Sequence, residues 1–563
     1  MRLGWTLLVL GWVLALGGGW AAHRVQTSGG IEVQDIVFPA ADGAPLSGLL
    51  YVPPTASAED RAPAVLLSHG YINTREMQSP FAIELARRGF VVLAMDMSGH
   101  GHSAGTVGAY AFGGPAALAQ LRALPMVDPQ NVGLAGHSLG GAPMLFAAQA
   151  APDGYRAMAL VGSTPGILGA PAADGQAFPR NLAVVFGQYD EFPELMWQVP
   201  RGGDIVGSPR LKAAFGVTDP VTPGRLYGDP AQGTGRILHV PPITHPWEHF
   251  SHTTVGAVAD WFQLTLDGEA SPRPANDQIW LQKELATLAA LIGAVCLMLG
   301  TFHIVSRPLG LVATPAAASE RRGGRWWAAF AITALVPALT YFPFMRLGAL
   351  VPVGPFLPQQ ISNQLLVWAL LNALIGLAAG LWLQAGKPIF RTRWIASALA
   401  SLAAVAMAYG ALVLIDALFV VDFRFWVLAL KPLQAADFGY GLVYLALWTG
   451  FFLLTFRAAA GWLPVKAEGA GRLFLTWPAA LSLGFVALLV LEYGALALTG
   501  RLLTPQEPLN TIIAIQFAPL LALFGLIGAF TYRRTGGYAA GAFICALFLT
   551  WYVVGGTAMH WAG

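Results

Sequence analysis

The chain has 563 residues, of which 55% are hydrophobic and only 11% charged, with a mean hydropathy of +0.57; this excludes an ordinary soluble protein and implies several membrane spans. A net charge of +2 with no long Lys/Arg block argues against a nucleic-acid partner. The two cysteines, Cys296 and Cys545, both lie in apolar runs, so neither a disulfide framework nor a zinc site can be read, and no metal or organic cofactor is implied.

The first element is the apolar run Leu3–Ala22. It exceeds the ~7–15 residues of a signal h-region, so an N-terminal anchor within residues 1–24 is expected; cleavage at the small Ala21 and Ala22 is the alternative. A more polar segment follows, with a domain expected over 31–268. "APAVLLSHG" and "GFVVLAMDMSG" are apolar runs ending in glycine turns, as buried parallel strands do, and "SPFAIELARRG" between them has helical spacing. "NVGLAG", "RAMALVGS", "NLAVVFGQ" and "GRILHV" continue the series. Strands alternating with helices predict an α/β fold, a mainly parallel sheet with helices on both faces.

Within "NVGLAGHSLGGAPMLFAAQAA", Ser138 stands at a strand-to-helix turn in the pattern G-x-S-x-G. That is the nucleophile elbow, where a Cβ at Gly136 or Gly140 would collide with neighbouring chain. The helix start behind it favours negative charge developing at the serine. A second copy, "GHSAG" around Ser103, lies in a loop with no helix after it and is read as structural. A serine needs a base, and the base an orienting acid, in the chain order Ser, acid, His. Asp190 follows one strand, with Glu191 beside it; His245 follows the next, with His249 as the alternative base and His252 in the first turn of the last helix. The predicted catalytic set is Ser138, Asp190 and His245. The backbone N–H groups of Leu139 and Tyr71 are the expected oxyanion donors, with Gly70 allowing close approach. The Tyr71 ring is expected either to line an acyl pocket or simply to pack. His69, His100, His102 and His137 read as loop and packing residues.

"LLSHGY", "DMSGHGHSAG", "VDPQNVGLAGHSLGG", "VVFGQYDEF" and "ITHPWEHFS", spread through 31–268, together resemble the α/β-hydrolase superfamily, particularly its dienelactone-hydrolase-like, esterase and prolyl-oligopeptidase-like branches. The resemblance implies a nucleophile at Ser138, an acid at Asp190, a base at His245 and oxyanion donors at Tyr71 and Leu139. Many members carry a cap domain after the strand holding "ALVGS", where only Thr164–Arg180 intervene here. The longer excursion, Glu191–Gly235, is expected to form a partial lid.

Beyond it, a transmembrane domain over 279–563 is expected from eight further apolar runs: Leu285–Val305, Trp326–Phe344, Leu365–Leu383, Trp394–Val421, Phe438–Phe456, Leu473–Leu498, Ile512–Tyr532 and Tyr538–Met559. Most reach the ~20 residues a helix needs to cross a bilayer. One set of connecting loops carries twelve basic residues: Arg307, Arg321, Arg322, Arg325, Lys387, Arg391, Arg393, Arg457, Lys466, Arg472, Arg533 and Arg534. The alternate set carries four, Arg346, Arg424, Lys431 and Arg501, so the first set is predicted to be cytoplasmic and the 31–268 domain exported. Asp416 and Glu492 fall toward the outer ends of their spans and His303 near an inner end. They are expected to reach interfacial water or pair between helices; the sharper alternative has Asp416 and Glu492 lining an outward cavity that delivers a lipid-like substrate.

The expected function is a membrane-bound serine hydrolase of carboxylic esters. Its partners would be a small-molecule or lipid-like ester and the membrane lipid. An amidase or peptidase, an acyltransferase, and a transporter or sensor with a ligand-binding hydrolase-like domain are the alternatives.

Overall fold

The computed structural model describes residues 2–268, 271–313, 321–382, 393–465 and 468–561. The basic loop residues Lys387, Arg391 and Lys466 lie outside them. After helix α1 (Arg2–Gln26) come the strands β1 (Glu32–Pro39), β2 (Pro45–Val52), β3 (Ala62–Ser68), β4 (Val91–Met95), β5 (Val127–His137), β6 (Ala157–Val161), β7 (Leu182–Val185) and β8 (Arg236–His239). They form one sheet in the order β1-β2-β4-β3-β5-β6-β7-β8. The β1–β2 and β2–β4 pairs are antiparallel and all others parallel.

The central strands read as unbroken apolar runs because both faces are covered. Leu66, Leu93, Leu134, Leu160 and Val184 point to one face, where α3 (Gly114–Ala123) and α4 (Gly141–Ala150) pack. Val65, Val92, Ala135, Ala159 and Val185 point to the other, against α2 (Ser79–Ala86) and α7 (His252–Thr265). This is the expected layered α/β arrangement.

The Glu191–Gly235 excursion is not a lid over most of its length. Its helices α5 (Pro193–Trp197) and α6 (Pro209–Phe215) insert Trp197, Leu211 and Phe215 into the same apolar cluster as Leu160 and Val184. Burying these large side chains is favourable enough to fix the segment as part of the core.

The rest is helical: α8 (Trp280–Val305), α9 (Gly324–Leu339), α10 (Tyr341–Gly348), α11 (Gln360–Trp382), α12 (Trp394–Phe419), α13 (Asp437–Trp462), α14 (Leu473–Thr499), α15 (Pro508–Thr535) and α16 (Ala539–Gly556). A small hairpin of β9 (Phe423–Phe425) and β10 (Leu428–Leu430) joins α12 to α13. Among the described residues, eight helices including α1 are long and apolar enough to cross a membrane. The expected straight span Trp326–Phe344 is instead broken: α9 and α10 meet at 52°. Pro343 in the first turn of α10 has no N–H to carry the helix on, and its ring crowds the Leu339 carbonyl four residues back, so the chain bends at Thr340 between the two helices. Helix α1 lies tightly along α8; a Cβ on Gly11 would sit 2.7 Å from the Leu297 nitrogen, and one on Gly293 2.7 Å from that of Ala15. Small residues permit this backbone approach in apolar helix pairs.

Candidate active site

The loops leaving the carboxyl ends of β3, β4, β5, β7 and β8 gather at one rim of the sheet, the edge where parallel α/β sheets hold ligands. Ser138 follows directly on the last residue of β5 with φ 54°, a left-handed conformation rare for a side-chain-bearing residue, and a short 3-10 turn then feeds α4. The expected collisions are present. A Cβ on Gly136 would lie 2.1 Å from the Gly140 oxygen, and one on Gly140 2.5 Å from the oxygens of Ser68 and His69. The turn is thus strained and closely packed, as an elbow holding a serine outward requires.

Asp190 and His245 meet. Asp190 Oδ2 lies 2.7 Å from His245 Nδ1, with both residues buried, and its Oδ1 accepts from the Phe192 N–H at 2.6 Å. An ionised carboxylate only accepts, so the imidazole proton sits on Nδ1 and leaves Nε2 as the basic nitrogen. Burial pushes the imidazole down, but the charge and hydrogen bond of Asp190 outweigh it and hold His245 above its ordinary value. His137, next to Ser138, is in ring contact with His245, with centroids 4.8 Å apart. A Cβ on Gly70 would stand 3.1 Å from that of Ser138, so the loop carrying Tyr71 borders the serine. Among the described residues the Ser138 hydroxyl forms no hydrogen bond of its own.

The second serine is placed differently. Ser103 is buried, donates to the Asp96 carbonyl at 2.8 Å and accepts from the Ser47 N–H at 2.9 Å, which ties a loop to β2. His249 is buried with neither ring nitrogen bonded, and burial first, then the nearby His245, lowers its pKa to about 3. It packs on His137 and makes no bond to Asp190. His252 opens α7 and bonds Gln278. His69 accepts from the Met97 N–H and His100 donates to the Ser98 carbonyl, so both pin loops as expected.

Two carboxyl groups around His245 went unassigned in the sequence reading. Glu191, adjacent to the acid, accepts the His245 backbone N–H at 2.8 Å with one oxygen and the Tyr493 hydroxyl of α14 at 2.7 Å with the other. Burial, then the charge of Asp190, raises it to about 7. Glu248 accepts from the Gly187 N–H at 2.6 Å, and its other oxygen lies 3.5 Å from His137 Nε2 and 3.6 Å from His245 Nδ1. Burial first, and the Asp190 charge next, hold it well above the usual carboxylate range, which favours its uncharged form. The only hint in the sequence was its position three residues after His245. His137, His245 and Glu248 are also the donors, among the described residues, close enough to share a metal ion, all within 4.8 Å. The Nδ1 edge of His245 is already engaged by Asp190.

The helical region closes over this rim. Besides Tyr493, the Tyr71 hydroxyl bonds His560 Nε2 at 2.8 Å, and the Trp426 indole donates to the Pro246 carbonyl at 2.7 Å. The Met559 N–H donates to the Gly99 carbonyl at 2.8 Å. The Tyr71 ring also packs against both apolar cores, of the sheet domain and of the helices. Glu492 accepts from the Thr504 hydroxyl at 2.8 Å, which holds the α14–α15 loop, and His303 rests against the Phe530 ring. Neither Asp416 nor Glu492 lines either of the two cavities described between the sheet domain and the helices.

Residues 63–196 match the family described as alpha/beta hydrolase fold. Among solved structures the chain is similar to a dienelactone hydrolase from Anabaena variabilis, at 17% identity over 42% of this chain and 99% of that one, with a TM-score of 0.30. It is also similar to an esterase from Pyrococcus furiosus, at 18% identity over 42% and 92%, TM-score 0.31, and to a hypothetical protein from Pseudomonas aeruginosa, at 15% over 42% and 94%, TM-score 0.31. No protein with a curated description matches the chain. The strand order, the covered sheet and the family match together give the N-terminal portion the alpha/beta hydrolase fold, followed by a helical region with several membrane-length apolar helices.

Proposed function

We propose that the protein is a membrane-bound serine hydrolase that cleaves carboxylic esters through an acyl-enzyme on Ser138. The observation that carries this reading is the buried 2.7 Å pair of Asp190 and His245, at the rim where Ser138 stands on its left-handed turn. The Ser138 hydroxyl passes its proton to His245 Nε2 as its oxygen attacks the ester carbonyl. Asp190 holds the imidazole in the Nδ1–H tautomer and stabilises the imidazolium that forms. The N–H groups of Tyr71 and Leu139 receive the negative oxygen of the tetrahedral intermediate. The imidazolium returns its proton to the leaving alcohol, and water repeats the sequence to free the carboxylic acid. The bias of Glu248 toward its uncharged form keeps a further negative charge away from the Asp190–His245 pair. The excess of basic residues in one set of helix connections puts that set in the cytoplasm and the hydrolase domain outside it.

Labelling the full-length protein in detergent with a fluorophosphonate probe tests this reading. Ser138→Ala should abolish labelling and Ser103→Ala should retain it; the opposite pattern would overturn the assignment.

A further inference from the structure

A cavity of about 370 Å³ lies between the hydrolase domain and the outward ends of the membrane helices. One wall is the loop Gly99–Gly105 after β4; the other is the segment after β10 with the end of α16. Its charged lining is unevenly satisfied. Glu76 is bonded by Arg75 at 3.1 Å and Arg424 at 3.4 Å. Asp96 accepts from the Arg75 N–H at 2.8 Å, the Ser47 hydroxyl at 2.8 Å and the His102 N–H at 3.0 Å. Asp437 accepts from the Gln434 N–H at 2.8 Å and from the Tyr440 hydroxyl. Lys431 is the one Lys or Arg bordering the cavity, and among the described residues its ammonium has no carboxylate or hydrogen-bond partner. Burial and then the nearby Arg424 lower its pKa, opposed by the charges of Glu76, Asp422 and Asp96, none of which pairs with it directly. The ammonium thus lacks a directly bonded anion, while Glu76, Asp96 and Asp437 are each already bonded.

The cavity adjoins a groove of about 270 Å³ between α12, α13 and α16, sharing Asp437 and Val554 with it. Leu402, Val405, Leu442, Leu445, Leu547 and Trp551 line the groove. On α13 and α16 it runs along the half nearer the hydrolase domain and on α12 it lies about the middle, at the depth of the outer acyl chains in the proposed orientation. An apolar slot of this kind with a polar mouth holds an apolar tail and orients its head by a few polar groups. We propose that cavity and groove together bind an anionic amphiphile, with its acyl chain in the groove and its carboxylate or phosphate on Lys431. The site deepens the esterase reading without depending on it, since its residues are separate from Ser138, Asp190 and His245. A carboxylate with an acyl chain is also what cleavage of a lipid ester releases.

The test uses the full-length Ser138→Ala protein in phosphatidylcholine nanodiscs, so that no turnover intervenes. Diazirine-bearing palmitate should photolabel α12, α13 or α16. Lys431→Met should cut labelling at least tenfold and Lys431→Arg should keep it. Gly441→Trp should also abolish labelling, because a Cβ there meets nothing closer than Val554 at 3.9 Å and the indole would fill the groove. Competition by oleate assigns the site to a fatty acid, and competition by phosphatidylglycerol to a phospholipid. Undiminished labelling of Lys431→Met, or equal competition by neutral diacylglycerol, overturns the proposal. Loss of fluorophosphonate reactivity in the native protein would instead count against the triad alone.

Discussion

Replacing Asp190 by Asn changes one atom and should disable the base. Asp190 Oδ1 accepts from the Phe192 N–H at 2.6 Å, so the amide must keep its oxygen there and turn its NH2 toward His245 Nδ1. A donor facing Nδ1 requires a lone pair on that nitrogen, which moves the imidazole proton to Nε2, the atom that must accept from Ser138. The charge that offsets burial of the imidazole is lost as well, so the basic nitrogen is both misplaced and weaker. A wrong tautomer in a triad of this design costs about 10⁴ in kcat, or about 5 kcal/mol of transition-state stabilisation. The assay is hydrolysis of a short-chain p-nitrophenyl ester by the purified full-length protein, followed from pH 5 to 9. In the native protein kcat/KM should fall as pH drops through the raised His245 value, because protonation removes the base. The Asn variant should keep its fold and lose activity across the range. A rate within tenfold of native would refute the reasoning.

Glu248→Gln should be nearly silent in kcat/KM, within about threefold, because burial and the Asp190 charge already favour the uncharged carboxyl and an amide preserves both its acceptor for Gly187 and a donor edge. Glu248→Ala strands the buried Gly187 N–H at a cost of about 1–3 kcal/mol, read as a lowered Tm. A hundredfold loss in the Gln variant would show that the ionised form matters. Tyr493→Phe removes the hydroxyl that α14 donates to Glu191, which in turn accepts the His245 backbone N–H. A typical hydrogen bond contributes about 0.5–1.5 kcal/mol net, so kcat should fall about three- to tenfold with KM unchanged. An unaltered kcat would mean that the membrane helices do not steady the base.

Much of the site was legible because its signals are local. Ser138 is flagged by the strand before it and the small-residue helix after it, a context that Ser103 lacks. Asp190 and His245 stand out as polar residues just past the ends of successive apolar strands. What escaped depends on tertiary contact. Nothing in "YDEF" says that Asp190 faces the ring while Glu191 bridges the backbone of His245 to a helix 300 residues later in the chain. Glu248 resembles any helix-end acid until burial beside Asp190 favours its uncharged form. The partial lid was misjudged because "ELMWQV" carries no sign of which surface its Trp197 enters. The break ahead of Pro343 was visible as a proline but not as a 52° turn, since many membrane helices absorb a proline with less bending. The closure of the rim by Tyr493, Trp426 and His560 required both halves of the chain in one frame.

The central claim is a covalent intermediate on one residue. Rapid acid quench of the full-length protein turning over a p-nitrophenyl ester, followed by peptide mapping in a mass spectrometer, tests it most directly. The account predicts an acyl adduct on Ser138, in a peptide distinct from that of Ser103, formed in step with a burst of p-nitrophenol. Steady turnover with the adduct on another side chain, or with Ser138 unmodified through the burst, would contradict it.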